Sequence, residues 1–272
     1  MMIDLHLHTT ASDGTDTPAE LVAACLAAGL TTIGVADHDT VTGIADAAAA
    51  ARATGLGFVA GIEITAAWND RDIHVLGYFL DAGSPGLAAF LDAQREDRVR
   101  RARAIAVRLE DLAAPIDMEA LIARTKGRPV LRPQIAAALV AAGHVAGEQD
   151  AFDRFIAEGR PAFVPRAGAT PADVVRAIRG AGGVSSLAHP GVTNADGLIP
   201  DLVAAGLDAI EVYHADHTEA ETTRYRDLAR RLDLAVTGGS DYHGARSHHA
   251  YGLGLVTLPV EDFEVLCRRA GR

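Results

Sequence analysis

The run Ile3-Asp4-Leu5-His6-Leu7-His8 holds two imidazoles where they could grip one cation. Ile3, Leu5 and Leu7 alternate with Asp4, His6 and His8, the two-residue period of a strand, which sends both imidazoles off one face about 7 Å apart. Asp13 follows in a turn closed by Gly14. His-x-His alone recurs by chance in many strands, but it has company here. Asp37 and His38 follow the apolar run 31–36, Glu63 follows 58–62, and His74 lies within 73–79. His189 ends 183–188, and Asp241 and His243 follow 234–240. A buried imidazole satisfied by one carbonyl explains any one of these residues. It does not explain why so many should gather at strand ends. Imidazole and carboxylate without thiolate suit Mn²⁺, Zn²⁺ or Fe²⁺. The polar residues so collected are His6, His8, Asp13, Asp37, His38, Glu63, His74, His189, Asp241 and His243, and at about four protein ligands per ion with one bridging carboxylate, nine such groups are enough for three ions.

These side chains need a scaffold that brings strand ends together. Thr17-Pro18-Ala19-Glu20 reads as a capping box with proline at the first helical position, and Gly29 ends that helix. An Ala-rich helix over 44–53 stops at Gly55. The run 73–79 reads as a strand preceded by a hairpin turn at Asp70-Arg71-Asp72. Strands alternating with helices predict a parallel βα architecture, whose ligands bind beyond the carboxyl ends of the strands. The rhythm breaks between 83 and 165, where helices are expected over 88–112, 118–124, 133–142 and 149–158. We read this stretch as a helical insert, with a lid over the site as its functional alternative. The charged middle of its first helix, residues 95–103, reads as a solvated face carrying i,i+4 pairs such as Glu96 with Arg100. The alternation then resumes, with strands over 183–188, 208–213 and 234–240 and helices from Thr170-Pro171, over 198–205 and over 219–232. A short helix closes the chain.

A chain of 272 residues can form one barrel-sized domain, or one domain with a smaller insert. Its net charge of −11, from 25 basic and 36 acidic side chains, argues against holding duplex nucleic acid through phosphate contacts. An anionic substrate remains compatible where bound cations reverse the local field. The chain begins without a basic stretch and cleavable apolar run, and it lacks an apolar segment of about 18 residues, so no membrane association is expected and a cytoplasmic location is. Cys25 and Cys267 read as reduced packing residues.

The ordered motifs His6-x-His8, Ser12-Asp13-Gly14, Ala36-Asp37-His38-Asp39, Gly61-Ile62-Glu63, His74-Val75-Leu76-Gly77, Ala188-His189-Pro190-Gly191 and Gly239-Ser240-Asp241-x-His243 resemble those of the PHP (polymerase and histidinol phosphatase) family of metal-dependent phosphoesterases. The resemblance runs over nearly the whole chain. It is strongest to a branch of stand-alone bacterial enzymes acting on nucleoside 3',5'-bisphosphates and on the 5' ends of short RNAs. It implies an α/β fold, a distorted (β/α)₇ barrel from 1–82 and 166–272 with a helical insert or lid at 83–165. It also implies three divalent cations, Mn²⁺ first, with Zn²⁺ or Fe²⁺ as alternatives. One ion would take His6, His8, Glu63 and Asp241; a second would share Glu63 and add His74 and His189; a third would take Asp13, His38 and His243. Asp37 would stand beside the ligands, at the edge of the catalytic site.

One departure from the branch concerns catalysis. Where it usually carries Gly-Arg-Pro-His at the start of an insert helix, this chain reads Leu131-Arg132-Pro133-Gln134. Arg132 is kept for the substrate phosphate, while Gln134 can donate a hydrogen bond but cannot give up a proton at neutral pH. Arg160, His214 and His217 are further candidates for substrate contact. The expected activity is hydrolysis of a phosphomonoester of a small nucleotide, with 5'→3' exonuclease action on short RNA as a further activity. The attacking group would be a hydroxide bridging two ions, since coordination lowers the pKa of water to about 7. The alternatives are a histidinol-phosphate phosphatase and a non-catalytic metal or nucleotide sensor.

Overall fold

A computed structural model describes residues 1–69, 71–125, 130–165, 167–247 and 252–272. The chain folds into two compact units, one of residues 1–68, 72–90 and 169–272, the other of 69–71 and 91–168.

In the first unit, among the described residues, seven strands form one curled sheet in sequence order. They are β1 (Ile3–Leu7), β2 (Thr32–Val35), β3 (Gly57–Trp68), β4 (Arg71–Tyr78), β5 (Val184–Leu187), β6 (Ala209–Tyr213) and β7 (Ala235–Gly238). Helices α1 (Pro18–Ala27) and α2 (Ile44–Thr54) connect the first three. The capping box at Thr17 and Glu20 forms, with Glu20 Oε2 accepting from the Thr17 N–H at 2.8 Å. Leu21, Val22 and Cys25 of α1 pack with Ile33, Val35, Ala47 and Ala51 beside the sheet. Burial pushes the Cys25 thiol far above its ordinary range, as expected of a packing residue.

Pairing is parallel for β1 with β2, β2 with β3, β5 with β6 and β6 with β7. β4 breaks the parallel βα pattern by running antiparallel to β5, with Val75 opposite Leu187. The reason is local: only two residues separate β3 from β4, far too few for a parallel crossover. Beyond β7 the chain returns to β1, where Leu7 and Tyr242 form a parallel bridge and His8 N–H donates to the Tyr242 carbonyl at 2.9 Å.

Two further local expectations are corrected. Glu63 is not at the tip of its strand, because the alternation of buried Ile62, Ile64 and Ala66 carries β3 on to Trp68. Glu63 stays level with the end of β2 because it bridges His38 just past that strand. Of the proposed hairpin turn, Asp70 lies outside the described residues, and Arg71 and Asp72 already belong to β4.

Helix α3 (Pro85–Asp111) leaves the first unit and enters the second, which also holds α4 (Met118–Arg124), α5 (Arg132–Ala141) and α6 (Glu148–Ala151), the last continuing into a π-helical turn at Phe152–Ile156. Its core joins Ile105 and Leu109 of α3 to Met118, Leu121, Ile135, Leu139, Phe155 and Ile156. The charged middle of α3 is only half the solvated face expected. Arg95, Arg100 and Arg103 are exposed, whereas Gln94, Asp97, Arg98 and Arg101 are buried at helical spacing. Ion pairs there join Arg95 to Asp92 and Arg100 to Asp97 at i,i+3.

The first unit resumes with α7 (Pro171–Gly180), α8 (Pro190–Thr193), α9 (Ile199–Ala205), α10 (Glu219–Arg231) and α11 (Val260–Arg269). Among the described residues no helix is long and apolar enough to cross a membrane.

Candidate metal centre

The polar residues of the strand ends meet inside the first unit. The rings of His6 and His8 lie 5.1 Å apart between centroids, and both approach the same two carboxylates. His6 Nε2 lies 3.2 Å from Glu63 Oε2 and 3.4 Å from Asp241 Oδ1, and His8 Nε2 lies 3.3 and 3.1 Å from the same two oxygens. Glu63 Oε2 also approaches His38 Nδ1 at 3.1 Å, while Oε1 approaches His74 Nδ1 at 2.7 Å and His189 Nε2 at 3.2 Å. Asp13 Oδ1 stands 3.4 Å from His243 Nε2, and its Oδ2 3.8 Å from His38 Nε2.

Among the described residues, three groups have ligand atoms mutually within 4.8 Å: His6, His8, Glu63 and Asp241; His8, Asp13, His38 and His243; and His38, Glu63 and His74. The first is the four-residue set the resemblance implies. The second adds His8 to the expected three. The third holds His38 where the expectation had His189, which touches Glu63 but stands outside the group. His8, His38 and Glu63 each belong to two groups, so the three are one contiguous cluster.

Backbone strain serves this convergence. His189 and Asp241 adopt positive φ of 27° and 53°, as does Asp39 at 51°, a conformation costly for residues other than glycine. Gly239 precedes Asp241 because a Cβ there would meet the His6 amide nitrogen at 2.4 Å. The chain after β7 can therefore lie directly against β1, which brings Asp241 to His6 and His8.

The electrostatics are those of a cluster that competes for protons. Burial alone would lower His6, but Glu211, Asp241 and Glu63 carry it well above the usual imidazole range. Burial, joined by the repulsion of His243, takes His8 down to about 4. Burial would raise Glu63, yet His38, His74 and His6 hold it well below the usual carboxylate range. Asp241 is held low in the same way by His6, His214 and His8, and Asp13 by His38 and His243. Burial also acts to lower His243, which its neighbours Asp13 and Asp241 instead raise to about 9. Several ring and carboxylate atoms nonetheless have no hydrogen-bond partner: both nitrogens of His8, Nδ1 of His38, His74 and His189, and Oδ1 of Asp13 and Asp241. Buried polar atoms without partners are costly. A divalent cation would satisfy them, and this all-nitrogen and oxygen donor set suits one.

The other residues singled out in the sequence fall elsewhere. Asp37 belongs to none of the three groups: its Oδ1 accepts from the Thr9 N–H and the Ser12 hydroxyl, both at 2.7 Å, and its Oδ2 from the Thr9 hydroxyl at 2.8 Å. It pins the loop between His8 and Asp13. Arg132, Gln134 and Arg160 belong to the second unit. Gln134 Oε1 accepts from the Leu131 N–H at 3.0 Å and so caps the start of its own helix. His214, expected to touch substrate, is buried with Nε2 3.4 Å from Asp241 Oδ2.

Sequence reasoning missed Glu211, a fully buried carboxylate 2.9 Å from His6 Nδ1. The one signal for it was a glutamate between Ile210 and Val212 in an otherwise apolar strand. It also missed Asp4, whose Oδ1 accepts from the backbone N–H of His6 and of Ser240. Burial raises the Asp4 carboxyl to about 6.

With this geometry in view, the relatives are informative. The PHP domain model matches residues 4–150. A 3',5'-nucleoside bisphosphate phosphatase of Chromobacterium violaceum is 35% identical over 98% of this chain and 94% of its own. A 5'-3' exoribonuclease of Haemophilus influenzae is 35% identical over 88% of this chain and 89% of its own. A crystal structure from Bifidobacterium adolescentis, assigned as a metal-dependent phosphoesterase, superposes with a TM-score of 0.84 at 33% identity, covering 99% of this chain and 98% of its own. With its strand-end histidines and carboxylates gathered on one sheet, the chain belongs to the PHP domain family.

Proposed function

We propose that this chain is a metal-dependent phosphoesterase that hydrolyses phosphomonoesters of small nucleotides, nucleoside 3',5'-bisphosphates foremost, and also acts on the 5' ends of short RNA. The observation that carries this reading is the contiguous cluster in which Glu63, His8 and His38 link three potential ligand groups. Support for the substrate class comes from the relatives in Chromobacterium violaceum and Haemophilus influenzae.

An imidazole nitrogen has one lone pair to give, so each shared histidine serves one ion. Giving His8 to the group of His6, Glu63 and Asp241, and His38 to that of Asp13 and His243, leaves Glu63 with His74 and His189 for a third. Three divalent cations, Mn²⁺ first, would on this reading lower the pKa of a water to about 7 and offset the charge of the phosphate. The protein's part is to hold the ligands at fixed positions. Glu63 presents its two oxygens in different directions, Asp37 fixes the loop that delivers Asp13, and Gly239 lets Asp241 approach β1. Arg132 would neutralise phosphate charge from a helical insert at 83–165 of a distorted (β/α)₇ barrel. Gln134, already engaged in capping, would add at most a hydrogen bond through its amide nitrogen and no proton.

Purified protein supplied with Mn²⁺ is expected to release phosphate from adenosine 3',5'-bisphosphate much faster than from histidinol phosphate, measured as inorganic phosphate over time. The reverse order would replace this reading with a histidinol-phosphate phosphatase. No release from either, or from short 5'-phosphorylated RNA, would leave a non-catalytic sensor.

A further inference from the structure

We propose that Glu211-x-x-His214-x-x-His217, the end of β6 and the loop after it, is a positioning element for the metal centre, with Glu211 as its principal member. The proposal rests on the metal-dependent reading above. Glu211 is fully buried, so its carboxylate needs compensation. It has two partners from distant parts of the chain. Its Oε1 lies 2.9 Å from His6 Nδ1, and its Oε2 accepts from the His189 backbone N–H at 2.8 Å. The first contact fixes a proton on Nδ1, so the lone pair that a cation would meet is the one on Nε2, the atom facing Glu63 and Asp241. The second holds His189 at its unfavourable φ of 27°.

The two histidines that follow have their tautomers set by backbone partners. The Asp216 N–H donates to His214 Nδ1 at 3.2 Å, so in the neutral ring the proton sits on Nε2, 3.4 Å from Asp241 Oδ2. That leaves Asp241 Oδ1 turned to His6 and His8. His217 accepts from the Gly191 N–H at Nε2, 3.2 Å away, and donates from Nδ1 to the Val212 carbonyl at 2.9 Å. Both its nitrogens are thereby used in bracing the turn after His189. One seven-residue stretch thus orients His6, Asp241 and the His189 backbone, and His214 and His217 act there rather than on substrate.

Glu211→Gln tests this with little change of volume. A glutamine cannot serve both partners: with its oxygen toward His6 its NH₂ opposes the His189 N–H, and with its NH₂ toward His6 the ring proton is driven onto Nε2. Isothermal titration of the metal-free protein with Mn²⁺ is expected to show about 10- to 100-fold weaker binding in Glu211→Gln than in the wild type. His214→Ala should weaken binding less, since Asp241 keeps its contacts with His6 and His8. The thermal midpoint of the metal-free protein is read alongside. A lowered midpoint with wild-type Mn²⁺ affinity in the folded protein would make Glu211 merely structural and overturn the proposal. Wild-type affinity, stoichiometry and midpoint would overturn it as well while leaving the phosphoesterase reading intact. A wild-type protein that binds no divalent cation would overturn that reading, and this inference with it.

Discussion

The two compact units handle charge in opposite ways. The second unit contains 14 of the 25 basic and 12 of the 36 acidic side chains, a net of +2, which leaves 11 and 24 in the first, a net of −13. The second buries a core of alanine, valine, isoleucine, leucine, methionine and phenylalanine, and among its described residues the buried charges are Asp97, Arg98 and Arg101 of α3, while an ion pair such as Arg154 with Asp150 is exposed. The first buries Asp4, His6, His8, Asp37, Glu63, Glu211 and His243 in its interior. Buried ionisable groups are weak sources of stability, since desolvation offsets much of their attraction. Their concentration in one unit marks where structure is organised for chemistry, and the apolar core of the other marks where it is organised for folding.

The sharpest way to break this comparison is to separate turnover from stability. Asp13→Asn and His243→Ala should each lower phosphate release by at least about 100- to 1,000-fold, a far larger effect than the change either makes in the unfolding midpoint of the metal-free protein. Wild-type turnover in both would remove their ligand group from the reaction. Leu139, fully buried in the second unit, should show the converse. Leu139→Ala is expected to cost about 2–5 kcal/mol in urea unfolding and to leave the Mn²⁺ affinity of the folded protein unchanged. A variant that lost the metal as readily as it lost stability would show the units to be energetically inseparable. The smallest effect belongs to Arg103, exposed and paired with Glu119 at 2.7 Å. Arg103→Ala should move the urea midpoint too little to resolve, because long solvated side chains gain little from pairing. A clear shift would mean that the exposed charges of α3 also carry stability.

Much of the site was legible in the sequence alone. His6 and His8 announce themselves by alternation on β1, and the carboxylates by their places just past apolar runs, because strand period and strand end are local properties of the chain. The antiparallel β4 was half legible, since a hairpin turn was expected before it but its direction against β5 was not drawn. The length of β3 was misjudged because Glu63 looks like a strand end when it is the polar member of a continuing alternation. Glu211 escaped because its one local signal, a carboxylate between Ile210 and Val212, does not by itself say which distant side chain it meets. The half-buried face of α3 escaped for the same reason.

The chain by itself thus determined which chemistry was available: imidazoles and carboxylates in place of thiolates, at spacings that put them on strands and just beyond them. Only the tertiary structure decided their grouping. It set His38 beside Glu63, drew His8 toward both Asp13 and Asp241, and gave His6 a buried carboxylate from a strand 205 residues away. Spacing along a strand is set by bond geometry and can be read from a few residues. Which nitrogen faces which oxygen depends on how distant segments pack, and that is a property of the whole fold.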